Sequence, residues 1–260
     1  MSSSNTLLNG KKILVIGGSS GIGYGVAAAA LDNGALVVIA SSAQSKVEAA
    51  VERLKKGING KEDVTVSGES FNIKDFPALT GFLTKHAPFD HLVITAGEAP
   101  RAFSGAGGLA PDVDIREQIG DSMDSRYWAV LNAANHIHHN KLIRPGGSLV
   151  LTIGTAQQRP HSGFGFYLGA VGAIETATRS LALDLKPLRV NTIAPGLVDT
   201  EMLEKVPAEV RKTIFESHIQ KLLVGHIGTP AEVAEAYIFA MKCQYLTGQV
   251  ITVDGGGVLV

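Results

Sequence analysis

The chain has 260 residues, 45% of them hydrophobic and 18% charged, which is enough apolar material for one sizeable core and argues against disorder. Lys and Arg number 23 against 24 Asp and Glu, a formal charge of −1, so there is no basic footprint for nucleic acid or an anionic membrane surface. The single Cys243 excludes an intrachain disulfide, no apolar run reaches membrane-spanning length, and the opening MSSSNTLLNGKK has no apolar leader, so a cytosolic (cytoplasmic) protein is expected.

Residues 1–10 read as a tail and 11–260 as one domain. In KKILVIGGSSGIGYG, residues 13–16 form the short continuous apolar run of a strand buried on both faces. A glycine-rich turn follows through Gly17, Ser19, Ser20, Gly21, Ile22 and Gly23, and an alanine-rich helix runs through 26–31. Glycines let backbone N–H groups approach an anion, and the helix points its amides and positive dipole end at the same place. Strand, glycine turn and helix in that order make a cradle for a dinucleotide pyrophosphate.

Residues 35–40 (ALVVIA) are a second buried strand and 45–56 a helix. The end of this second strand sorts NAD from NADP, because an acid there binds the ribose hydroxyls and repels a 2′-phosphate. Ser41 and Ser42, with Lys46 a turn on, suit a phosphate instead and favour NADP(H); the alternative is that the serines cap the next helix. Residues 64–70 form a weaker strand ending at Asn72 and Ile73, and 89–95 (FDHLVIT) a further strand closing on Ala96 and Gly97. The Gly-, Ala- and Pro-rich stretch 98–112 follows a strand's carboxyl end, where open α/β sheets bind ligands, and is a candidate substrate loop.

A long helix is expected over 115–139, with Ile115, Ile119, Met123, Tyr127, Val130, Ala134 and Ile137 at three- and four-residue steps. His136, His138 and His139 lack the i, i+4 spacing of a helical metal motif, so no metal is expected. Pro145-Gly146-Gly147 reads as a turn and 148–153 as a strand. A second long helix, 166–186, carries Gly169, Ala170, Gly172 and Ala173 for close approach to a neighbour, and Pro187 ends it. Strand 189–194 runs into Pro195-Gly196; 197–223 has the helical character of a substrate lid; Thr229–Glu232 is a capping box with proline at the first helical position; and 249–257 is a last strand with a glycine tail. Alternation throughout predicts an α/β, doubly wound Rossmann fold, a parallel sheet with helices on both faces.

The spacing Gly17-x-x-x-Gly21-x-Gly23, the Ala96-Gly97 and Pro195-Gly196 pairs and the glycine tail, in order from Lys11 onward, resemble the short-chain dehydrogenase/reductase family. The resemblance implies Asn72 and Ile73 beside the adenine, Ala96 and Gly97 against the cofactor, and Pro195, Gly196 and Thr200 at its nicotinamide half. It also implies a catalytic tetrad, which this sequence alters. Tyr167 stands at the position of the general-acid tyrosine, but four residues on is Val171 where the family has lysine. The serine position falls on Gly154-Thr155, leaving Thr155 as the available hydroxyl, and Arg126 replaces the helix asparagine. Ile94 and Thr95 replace an asparagine pair and remove a strand-stabilising network.

An arginine among Met123, Tyr127, Trp128 and Val130 points either to solvent or into the site; the family position favours the site. There it stays protonated and can hold negative charge on a substrate oxygen, orient a carbonyl, or stand in for the lysine beside Tyr167. Trp128, His161, Phe164 and Phe166 suggest an aromatic substrate pocket, with His161 able to move a proton near neutrality. The family's pairing of its two long helices between subunits implies a homotetramer or homodimer. Fungal natural-product members of the family are similar in RPGGSLVLTIGT and in the arginine, among them reductases and Diels–Alder cyclases of the malbrancheamide and paraherquamide type. Three functions stay open: an NADPH-dependent reductase of a ketone or cyclic imine on a bulky metabolite, a non-redox cyclase or isomerase retaining NADP(H), and a non-catalytic NADP(H)-binding protein.

Overall fold

Strand β1, Lys12–Ile16, divides the molecule into two cores: Leu14 and Ile16 point into one and Ile13 and Val15 into the other, all 0–2% exposed. Alternation with a period of two puts successive side chains on opposite faces, so a strand this apolar must be covered on both. The computed structural model describes residues 7–58, 65–97 and 114–260, with the side chains at 115, 117, 118, 121, 166 and 205 outside that description. The candidate loop 98–112 and the Phe166 side chain therefore lie outside the described residues.

Among the described residues one parallel sheet has the order β3-β2-β1-β4-β5-β6-β7. Its further strands are β2 (Leu36–Ser41), β3 (Val66–Ser70), β4 (Phe89–Ile94), β5 (Ile143–Thr152), β6 (Arg189–Pro195) and β7 (Val250–Val253). One face carries α1 (Gly21–Asp32), α2 (Gln44–Gly57) and α8 (Pro230–Lys242). The other carries α3 (Phe76–His86), α5 (Ala129–His139) and α6 (Gly165–Asp184). Two shorter-range helices complete the chain, α4 (Ile115–Met123) and α7 (Ala208–Ile219). The strand order reverses between β1 and β4, which opens a crevice at their carboxyl ends.

Several expectations need correction. Leu8, assigned to a tail, is 1% exposed and packs with the α1 core, so the packed chain starts before residue 11. Pro145-Gly146-Gly147 is not a turn before β5 but lies within it: Phe89 pairs with Ile143 and His91 with Ser148, so the extra residues bulge out, and a Cβ on Gly147 would fall on the Asp90 carbonyl. The helix over 115–139 is interrupted by a π turn, Asp124–Trp128, in which the Ala129 N–H reaches the Asp124 carbonyl five residues back. The 197–223 segment is helical only in a 3₁₀ turn, Glu201–Lys205, and in α7. The capping box at Thr229 is formed in both directions with Glu232.

Beneath the crevice, His91 is 3% exposed and its Nδ1 lies 2.8 Å from Ser148 Oγ. Burial, reinforced by the Arg189 charge, pushes its pKa down to about 3. The folded protein thus refuses a proton that the unfolded chain accepts near pH 6.5, and stability falls as pH drops from there toward 3. Between pH 7 and pH 5 this residue alone removes about 2 kcal/mol. Urea denaturation at both pH values measures the loss, and His91→Asn shrinks the difference between them while lowering stability at pH 7.

Candidate active site

The glycine turn is built by close approach. The N–H groups of Gly17 and Gly18 both donate to the Ala40 carbonyl, at 2.7 and 3.2 Å, folding the turn back onto β2. Gly17 has φ +95°, which only glycine adopts without strain, and a Cβ there would come 2.5 Å from Thr95 Oγ1. A Cβ on Gly23 would fall on the Gly17 carbonyl. Thr95 ties β4 to β1: its hydroxyl donates to the Ile16 carbonyl at 3.2 Å, so a strand-to-strand link remains where the family's asparagines are missing.

The first N–H of α1 already holds a carboxylate of the chain itself. Ser20, at the N-cap of α1, makes no side-chain cap, and the Gly21 N–H instead donates to Glu201 Oε2 at 2.7 Å. Ser19 is buried beside it, Ile22 is partly buried on the first turn of α1, and the Thr200 methyl would lie 3.2 Å from a Cβ on Gly21. At the far end of β2, Ser41 is half-buried and Ser42 exposed. They do not cap α2, whose N-cap is Ala43, so that alternative for the serine pair falls. Asn72 is exposed, with Oδ1 accepting from the Lys74 N–H at 3.0 Å, while Ile73 packs against the core. Pro195 ends β6, and Gly196 donates to the Val253 carbonyl at 2.9 Å in contact with Asp254.

At the crevice between β1 and β4, Ala96 donates to the Ile16 carbonyl at 3.1 Å, and Gly97 meets Arg126. A Cβ on Gly97 would land on the guanidinium carbon, so the charged head lies directly on the backbone there. Arg126 is 8% exposed and buried, in the π turn that packs on α6. Its Cζ stands 5.1 Å from the centre of the Tyr167 ring, cation over aromatic face. A π turn inserts one residue into a helix and re-aims the side chains it carries, and such turns recur at functional sites.

Tyr167, partly buried in the first turn of α6, continues into an edge-to-face chain: Phe164 at 6.2 Å and His161 at 6.0 Å beyond it. His161 is exposed at the outer end. Trp128 does not join; it is 46% exposed and packs edge-on against Tyr127 at 5.0 Å. Thr155 opens a 3₁₀ turn, Thr155–Gln157, just past β5, half-buried. Val171 is 1% exposed within the core, so the place of the family's lysine has become packing. Another tyrosine, Tyr237, is fully buried with its hydroxyl 2.7 Å from Thr152 Oγ1; burial pushes its pKa up, so it stays un-ionised and acts as a structural strut. Among the described residues no cluster of His, Cys, Asp or Glu could hold a metal ion, and no helix is long and apolar enough to cross a membrane.

Fold and crevice together define a dinucleotide-binding Rossmann protein. A family model described as an SDR-like Rossmann domain matches residues 3–260, and the chain belongs to that family, the short-chain dehydrogenases/reductases. It is 33% identical over 264 residues to the short-chain dehydrogenase/reductase malC of Malbranchea aurantiaca, covering 98% of this chain and 97% of that one. The solved structure of the MalC reductase/Diels-Alderase from the same organism matches with a TM-score of 0.89 at 31% identity, over 99% of this chain and 100% of that one. A small-chain dehydrogenase solved in complex with NADPH matches with a TM-score of 0.76 at 29% identity, over 97% of this chain and 100% of the other.

Proposed function

We propose that this chain is an NADP(H)-dependent oxidoreductase of secondary metabolism that reduces a ketone or cyclic imine of a bulky, partly aromatic metabolite. The observation that carries the reading is the buried Arg126 guanidinium between Gly97 and the Tyr167 ring, at the crevice where this fold holds a dinucleotide. Gly17, Ser19, Ser20, Gly21, Ile22 and Gly23 would hold the pyrophosphate, and the absence of a carboxylate at Ser41 and Ser42 suits the 2′-phosphate of NADP(H). A glycine turn that a Cβ would fill and an N–H already holding a carboxylate fit that group. The fit agrees with the NADPH complex of the similar dehydrogenase.

The bound dinucleotide supplies a hydride. Arg126 stabilises negative charge on a ketone oxygen, the Thr155 hydroxyl orients that oxygen, and the Tyr167 hydroxyl delivers the proton. A cyclic iminium needs no proton on reduction, so loss of the family's lysine would cost such a substrate less. His161 and Phe164 border the substrate, with residues 197–223 as lid.

We further infer a homodimer or homotetramer in the cytosol. Gly165, Gly169 and Gly172 on α6 have nothing among the described residues within 4 Å of a built Cβ, and these small residues offer a face to a second copy. Light scattering that gives a monomer would refute this.

The test is NADPH deuterated at the pro-S position of C4, incubated with the protein and a mixed pool of ketones and cyclic imines. Deuterium in a product, read by mass, is the expected result, and the labelled product tells C=O from C=N. An isomerised or cyclised product without deuterium would overturn the reductase reading in favour of a cyclase.

A further inference from the structure

We infer that Glu201 is an internal anion that competes with the cofactor's pyrophosphate for the N-terminus of α1, so that dinucleotide binding and release of the lid segment are one event. The inference rests on the dinucleotide reading above and goes beyond it by assigning Glu201 a role in setting cofactor affinity.

Three observations support it. First, the Glu201 carboxylate accepts from the Gly21 N–H at 2.7 Å, across 180 residues of chain, at the first residue of α1. The first N–H groups of a helix have no partner within it, and Ser20 leaves them uncapped, so this end attracts whatever negative charge can reach it. A phosphate and this carboxylate cannot both take the same N–H at full strength.

Second, Glu201 begins the 3₁₀ turn that leads into α7, so the bond tethers the lid to the cradle. Among the described residues α7 is lightly packed. No residue of α7 is buried, and Val210 and Ile219 are 50% and 41% exposed. Leu203 and Val206, 6% and 7% exposed, anchor the turn, while α7 itself stands off α1 and α8 across an open groove of about 990 Å³ floored by Tyr24, Ala28 and Pro230 and walled by Arg211 and Phe215.

Third, the register is tight. A Cβ on Gly21 would lie 3.2 Å from the Thr200 methyl and 3.7 Å from Glu201 Oε2, so the residue before Glu201 also touches the cradle. An anion that takes the Gly21 N–H must displace the Glu201 carboxylate. Displacing the carboxylate breaks the polar bond that links residues 201–205 to α1, and the lid is then free to settle over the substrate.

The experiment measures equilibrium binding of NADP+ and of adenosine 2′-monophosphate, which has no pyrophosphate, to the wild-type chain, Glu201→Ala and Glu201→Gln. Removing a charged competitor for one N–H is expected to tighten NADP+ binding about five- to tenfold, less for Gln than for Ala, and to leave adenosine 2′-monophosphate unchanged. Hydrogen exchange supplies the second readout. Inorganic pyrophosphate at millimolar concentration raises exchange across residues 201–219 in the wild type, whereas in Glu201→Ala exchange there is already raised and pyrophosphate adds nothing. Unchanged or weakened NADP+ binding in both variants, with a wild type that does bind, would overturn the competition and leave the dinucleotide reading standing. A wild-type chain that binds neither NADP+ nor NAD+ would overturn both.

Discussion

Gly23→Ala abolishes dinucleotide binding, raising the Kd for NADP+ by at least about a hundredfold, and lowers stability by about 1–3 kcal/mol through overpacking. The cause is steric rather than conformational. Gly23 lies in a helix, where alanine is ordinarily the better residue by about 1 kcal/mol. Its missing Cβ, however, would sit on the Gly17 carbonyl and against Thr95 Oγ1, with the Gly17 carbonyl carbon 2.7 Å away. Backbone atoms cannot rotate aside, so the turn itself must open, and the N–H groups of the cradle move with it. At about 2–4 °C per kcal/mol for a chain approaching this size, the melting temperature drops by several degrees. Gly81→Ala is the control: that glycine is in α3 with nothing within 4 Å of a built Cβ, so alanine there should raise stability by up to about 1 kcal/mol. Opposite signs for the same substitution separate the cradle from general helix propensity. A Gly23→Ala protein that binds NADP+ as the wild type does would remove the glycine turn from the cofactor site.

Two-faced burial made most of the fold legible. Residues 13–16, 35–40 and 92–94 are apolar without interruption because helices cover both sides, and their alternate side chains fall into separate cores. Caps and breakers were equally readable, as at Thr229 and Pro187, since they act through neighbours in sequence. What stayed hidden depends on partners far along the chain. Pro145-Gly146-Gly147 has turn chemistry, yet pairing with β4 absorbs it as a bulge. Gly169 and Gly172 look like contact residues, but a Cβ on either would meet nothing within 4 Å among the described residues. Glu201 gave no local signal at all, because its partner is Gly21. The π turn did leave a trace: the apolar steps from Ile115 through Tyr127 are four, four and four before reverting to three and four, a drift wider than 3.6 residues per turn. Of the site, the position of Arg126 was readable from its place in the family pattern, whereas its contact with Gly97 required the fold.

Arg126→Ala is expected to lower kcat for a ketone substrate by about 10²–10³, the usual cost of removing a donor to a developing oxyanion. The guanidinium is buried, lies on the Gly97 backbone and covers the Tyr167 ring, so its removal takes the charge and the packing of the tyrosine together. Arg126→Lys keeps the charge but not the planar fork, and recovers only part of the loss. Gly97→Ala acts on the same group without replacing it, because its Cβ would push the guanidinium off its place, and lowers ketone turnover less than Arg126→Ala does. Tyr167→Phe removes the proposed proton donor and is expected to cost about 10²–10⁴ on a ketone. The double variant Arg126→Ala/Tyr167→Phe should be little worse than the poorer single, as for groups that act as a unit. Steady-state kinetics with both substrate classes then separates the two chemistries. A ketone requires a proton at its oxygen and suffers from either change; an iminium takes hydride alone, and Tyr167→Phe leaves its turnover near the wild-type level. Full turnover on both substrates in Arg126→Ala and in Tyr167→Phe would move the active site away from this pair. Loss on the ketone with retention on the iminium would identify Tyr167 as the proton donor and Arg126 as the group that holds the oxygen it protonates.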